Sequence, residues 1–169
     1  MPTRTTTTAA AAGAVAAATS MRPRGGQPSS DTALDEVRRI YRELAGRPIE
    51  RQCELRTQCC HFKLTGKTPY LTRGEALLAA RALRASGRKN LPARNDGACP
   101  LLDSQTSRCL IYEDRPFGCR THFCAAAGGP YERREVIDLI RRLEAIDEQL
   151  GGDGPRALPV AVRDSLHAA

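Results

Sequence analysis

Apolar residues recur at helical spacing in three stretches of the chain. In DTALDEVRRIYRELAG, Leu34, Val37, Ile40, Tyr41 and Leu44 fall on one face; Asp31 and Thr32 offer capping groups, and Gly46 ahead of Pro48 ends the run. In YLTRGEALLAARALRASG, Thr72 followed three residues later by Glu75 reads as a capping box. Ala76, Leu77, Ala79, Ala80 and Leu83 make the stripe, and Gly87 stops it. After the break AAAGGP comes the longest pattern, YERREVIDLIRRLEAIDEQLGG, with Val136, Ile140, Leu143 and Leu150 on one face. The expected fold is mainly α, with three amphipathic helices and little or no sheet. Residues 1–31 are Thr, Ala, Gly, Pro and Ser without apolar periodicity, which predicts a disordered tail. Residues 32–150 then form one domain, and residues 151–169, broken by Pro and Gly, a loose C-terminal tail with His167 exposed.

Composition changes this picture at the centre of the chain. There is no Trp, and five of the seven Phe and Tyr residues lie between the first cysteine and the last, which places the folded centre at 53–124. A core so poor in large side chains buries limited apolar area, at about 25 cal/mol per Å², and gains from a cross-link. All seven cysteines lie in two clusters, Cys53, Cys59 and Cys60 upstream, Cys99, Cys109, Cys119 and Cys124 downstream. An odd count leaves one thiol over in any disulfide scheme, and the neighbours Cys59 and Cys60 are poorly placed to pair with each other. Metal ligation is therefore favoured over disulfides, and the domain is expected to be small, irregular and metal-stabilised.

Charge and hydropathy narrow the partners. The net charge is +7, but the basic residues are nearly all Arg and are spread along the chain, and cysteines bind metal as thiolates that offset positive charge. A solvated basic surface is the simpler reading, and nucleic acid is not the expected partner. The Ala-rich N-terminus lacks the charged n-region of a signal peptide. No stretch approaches the roughly twenty apolar residues that span a bilayer, so a soluble, cytoplasmic protein without a membrane partner is expected.

Ligand spacing is unlike that of a zinc finger, whose C-x₂₋₄-C pairs let two sulfurs reach one ion. Only Cys119 and Cys124, with four residues between them, fit that rule; nine residues separate Cys99 from Cys109 and Cys109 from Cys119. CLIYEDRPFGC reads as an extended piece over 110–112, then a turn with Asp114 as N-cap and Pro116 in the first turn of a helix. Cys119 then sits near a helix N-terminus beside Arg115 and Arg120, where dipole and cations favour thiolate. Three residues on a helix advance about 300° and five about 500°. His122 therefore shares a face with Cys119, and Cys124 reaches the same metal only if the helix stops by about Phe123. His122 and His61 are alternative ligands or hydrogen-bond donors.

The combined pattern, a CC pair, CPLL, a loop, CLIYEDRP, GCR and a final cysteine, resembles the CxxCxxCC-type cysteine-cluster family, the YkgJ-like proteins described as zinc- or iron-chelating domains. The resemblance spans about 53–124. It implies that Cys59, Cys60, Cys99, Cys109, Cys119 and Cys124 are the metal ligands, around zinc or an iron–sulfur centre. The irregular gaps lean toward iron–sulfur, although tetrahedral sulfur sites suit both. Arg56 stands where the second cysteine of the motif belongs, which separates Cys53 from the set. Three functions compete. They are a metal-binding module, an iron–sulfur redox or protein-modifying enzyme, since the resemblance extends to a flagellin lysine methylase, and a nucleic-acid-binding metal module. No G-x-G-x-x-G after a strand and no Walker loop supports the enzyme.

Overall fold

A computed structural model of the chain describes residues 29–47, 51 and 57–168. Residues 1–28 of the expected N-terminal tail, and Cys53, lie outside them. The first helix, α1 (Ser30–Ala45), starts two residues before the expected domain boundary at 32. The Ser29 side chain caps it by accepting from the Thr32 amide, and Gly46 ends it. All five apolar positions assigned to its face are buried. A short α2 (Phe62–Thr65) and strand β1 (Tyr70–Leu71) precede α3 (Arg73–Ala85). A five-residue helix, α4 (Phe117–Thr121), carries Cys119, and α5 (Arg133–Gln149) is the longest helix. Strand β2 (Arg156–Ala157) and α6 (Leu158–His167) complete the chain.

The mainly α expectation holds, with six α-helices among the described residues and a single two-stranded antiparallel sheet pairing Tyr70 with Ala157 and Leu71 with Arg156. The last segment corrects the expectation of a loose tail. Leu158, Ala161, Val162 and Leu166 of α6 are buried against α3, while Arg163 and the end of the helix, including His167, are exposed. Pro159 lies in the first turn of α6, where a missing amide costs no helical hydrogen bond, so this proline starts a helix rather than forbidding one.

With α6 in place, α3 is buried on two sides. Leu78, fully buried, joins α1 and α5 in one core; Ala76, Ala79, Ala80 and Leu83 face α6 in another. The predicted stripe includes Leu77 where the buried residue is Leu78, because a one-sided pattern does not describe a helix covered on two faces. In α5 the buried positions are Val136, Leu139, Leu143 and Ile146, with Ile140 and Leu150 only partly covered. The cysteine-bearing loops pack on the α3/α6 core.

Candidate metal centre

Two backbone hydrogen bonds tie the cysteine clusters together. Cys59 and Cys60 lie in a 3₁₀ turn, Gln58–Cys60, whose Cys60 carbonyl accepts from the Cys99 amide at 2.6 Å; the Lys63 amide donates to the Gly97 carbonyl at 3.3 Å. Gly97 has φ +72°, and a Cβ there would run into the Lys63 side chain. The positive φ is what favours glycine there, since the exposed Lys63 side chain could move aside.

The gap between Cys99 and Cys109 is a hairpin. Leu110 N donates to Leu101 O and Asp103 N to Arg108 O, both at 2.8 Å, and Leu102 bridges Cys109. Its loop is organised by Asp103, whose Oδ1 accepts from the amides of Gln105 and Thr106 and from the Thr106 hydroxyl, a local alternative to ladder bonding that Asp favours in turns. Two cysteines with nine residues between them are thereby brought near one another.

The gap between Cys109 and Cys119 folds as a 3₁₀ turn over Tyr112–Asp114 followed by α4. Pro116, not Asp114, occupies the position before the first helical residue. The helix ends at Thr121, and His122 is extended at φ −97°, ψ 111°, so it stops ahead of Phe123. Glu75 fixes the start of α4. Its Oε1 accepts from the Phe117 amide at 2.8 Å and from the Tyr41 hydroxyl at 3.1 Å, while Oε2 accepts from the Thr72 amide and hydroxyl.

The result is a cavity of about 700 Å³ lined by five thiols, Cys59, Cys60, Cys99, Cys109 and Cys119, together with His122. Neither Cys124 nor His61 lines it. Cys124 lies just beyond, at the start of a 3₁₀ turn over Ala125–Ala127. Apolar side chains, among them Phe62, Leu101, Pro116 and Leu158, form much of the wall, and Lys67, Arg108 and Arg115 add positive charge. The six described cysteines are all free.

The thiols feel one another. Cys60 donates a hydrogen bond to the Cys59 sulfur, which lowers the proton affinity of Cys59 and raises that of Cys60. Burial pushes the Cys99 thiol up to about 12, with the charges of Cys109 and Cys59 adding to it. Burial also raises Cys109 and, strongly, Cys119, which Cys99, Cys109 and Cys59 push further. This reverses the expectation for Cys119, for which Arg115 and Arg120 were to favour thiolate. Burial among other sulfurs outweighs them, as low dielectric disfavours any uncompensated charge. A divalent cation among the sulfurs reverses that preference, because it compensates the thiolate charge. The donor set therefore suits a thiophilic metal, although no three His, Cys, Asp or Glu side chains among the described residues stand close enough to grip one ion as they are.

The family model described as "CxxCxxCC: Putative zinc- or iron-chelating domain" matches residues 51–141, more than half the chain and all seven cysteines. The chain belongs to this family. Metal binding, of zinc or iron, is the class of function that membership assigns to the CxxCxxCC chain. Helix α6 lies beyond the matched range, yet its Leu158 lines the cavity. No curated protein and no solved structure matches the chain.

Two contributors to the site carry little sequence signal of that role. Glu75 had a visible signal, the capping box, but nothing in the sequence showed that its second oxygen reaches α4. The Lys67–Pro69 segment borders the cavity because β1 pairs with β2, a tertiary contact that a two-residue strand does not announce.

Proposed function

We propose that this protein is a metal-binding module whose centre is held by thiolates of Cys59, Cys60, Cys99, Cys109 and Cys119, with an iron–sulfur cluster as the preferred occupant. The observation that carries the reading is five thiols from three separate backbone segments lining one cavity. Five thiols are more than the four ligands a structural zinc takes, which favours a polynuclear centre over one zinc. Of the six ligands implied by the resemblance, Cys124 is left out, and His122 stands beside the thiols as a neighbouring donor. When bound, the centre supplies a cross-link between loops remote in sequence and, as a cluster, a redox couple. The chain's own part is to hold the sulfurs at one place, through the Cys60–Cys99 backbone bond, the Asp103 hairpin and the Glu75 anchor of α4.

Anaerobic purification followed by visible absorption and metal and sulfide analysis tests this. Broad brown absorption with iron and acid-labile sulfide is expected; a colourless zinc protein overturns the cluster but keeps the thiolate centre, and absence of both metals overturns the reading. Cys109→Ser and Cys119→Ser should each lose most of the metal, whereas Cys124→Ser keeps it. Retention in the first two contradicts the ligand assignment.

A further inference from the structure

On the other side of the wall formed by Tyr112 and Arg115 lies a second cavity, of about 380 Å³, which none of the described cysteines lines. Four guanidinium groups border it, those of Arg47, Arg51, Arg115 and Arg120. Three are stacked on tyrosine rings: Arg51 lies 4.6 Å from the centroid of Tyr131, Arg115 4.0 Å from Tyr112 and Arg120 4.3 Å from Tyr41. Stacking holds a guanidinium by its face and leaves its N–H donors at the rim for oxygen acceptors.

No carboxylate among the described residues lines this cavity, although Asp114 and Glu113 lie near enough to act on Arg120. Arg47 pairs with Asp138 and lies 3.8 Å from Glu43, and Arg51 meets Glu135 at 3.5 Å. Arg115 and Arg120 have no ion pair among the described residues. Their hydrogen bonds go to backbone carbonyls, Arg115 to Tyr112, and Arg120 to Arg115 and Glu113. Arg51 adds a second sign: its Nη1 is buried without a hydrogen-bond acceptor among the described residues, a costly arrangement for a charged donor.

We propose that this cavity binds a small oxyanion, phosphate or polycarboxylate in chemistry, between the guanidinium groups of Arg51, Arg115 and Arg120, through the N–H groups left over where Nε and Nη2 of Arg51 and Arg120 are engaged by the protein. Arginine forks match the paired oxygens of such groups, and the cavity falls at the small end of small-molecule sites, about 300–1,000 Å³. The cations converge on one enclosure and do not run in a stripe along which a nucleic-acid backbone would lie. The site is independent of the metal proposal apart from the shared Tyr112–Arg115 wall.

Isothermal titration calorimetry on the full, metal-loaded chain tests it, with inorganic phosphate and succinate as separate probes and chloride at matched ionic strength as the blank. One saturable site for at least one probe is expected, and which of them binds tells phosphate from carboxylate. Arg51→Gln should weaken binding about tenfold or more, the value of a charged hydrogen bond. Its metal content should stay unchanged, since Arg51 does not line the cysteine cavity. Arg163→Gln, in an exposed side chain elsewhere, should bind like wild type. If Arg51→Gln loses its helical circular dichroism, Arg51→Lys serves instead, keeping charge without the fork, and a several-fold loss is expected. Binding no stronger than chloride, equal affinity in the Arg51 variants, or binding of a single-stranded oligonucleotide with neither small anion overturns the proposal.

Discussion

Glu75 is 3% exposed, and its two oxygens accept from four donors on three elements, Tyr41 of α1, Thr72 at the start of α3 and Phe117 of α4. That makes it the residue through which α1 and α3 position the Cys119 helix. Replacing it with Ala strands those donors; at about 1–3 kcal/mol for each buried group left unsatisfied, a loss of roughly 2–5 kcal/mol in urea unfolding is expected, together with reduced metal retention. Burial raises the Glu75 pKa above the usual 4.5, against the pull of its hydrogen bonds. A group raised in the folded state holds its proton more tightly there than in the unfolded chain. Its contribution is therefore complete below about 4.5 and is lost as pH rises toward the folded value. In metal-free protein, the stability of wild type relative to Glu75→Gln should fall with increasing pH from about 4.5 upward; a difference that stays flat contradicts the assignment. The sequence made Glu75 legible as a capping residue, because Thr72 stands three positions earlier. Its other role depends on Phe117, forty-two residues away, and no local pattern carries that.

Among the elements, the long helices were legible wherever one face is buried and the other is wet, as in α1, whose periodic positions all lie in the core. Legibility failed where the surroundings were two-sided or punctuated. The Ala- and Leu-rich α3 is covered on two faces, so a single stripe misplaced Leu78. In α6, Leu158, Ala161, Val162 and Leu166 do keep helical spacing, but Gly151, Gly152, Gly154, Pro155 and Pro159 gave the segment the look of a tail. The hairpin between Cys99 and Cys109 explains gaps that fit no finger, yet its closure rests on one Asp side chain and a few backbone bonds. Helix α6 is where the correction can be measured. Leu158 is fully buried, packs with α3 and lines the cysteine cavity, so Leu158→Ala should cost about 2–5 kcal/mol in urea unfolding, as for other buried leucines. A loose tail predicts a change near zero.

At the scale of the molecule, two cores share α3 and divide the work. The core of α1, α3 and α5 contains no cysteine, whereas the α3/α6 core holds Cys99 and supports Cys60, Cys109 and Cys119 at its edge. Arg142 of α5 reaches Glu36 and Glu43 of α1 at 2.9 and 2.5 Å, but exposed pairs of this kind add at most about 1 kcal/mol each; the first core stands chiefly on apolar packing. Metal removal should therefore loosen the protein unevenly. In hydrogen exchange, amides of 97–121 are expected to lose protection on chelation while those of α1 and α5 keep theirs; uniform loss contradicts the division. Many of the arginines behind the +7 charge are engaged in ion pairs, and Arg115 and Arg120 at the second cavity are among those that, within the described residues, have none. No helix among the described residues is long and apolar enough to cross a membrane. Sulfur ligation is read directly by X-ray absorption at the metal edge of the purified, metal-loaded chain. A first shell dominated by sulfur, near the roughly 2.3 Å of metal–thiolate bonds, is predicted, and a shell of nitrogen and oxygen at about 2.0–2.2 Å would contradict it.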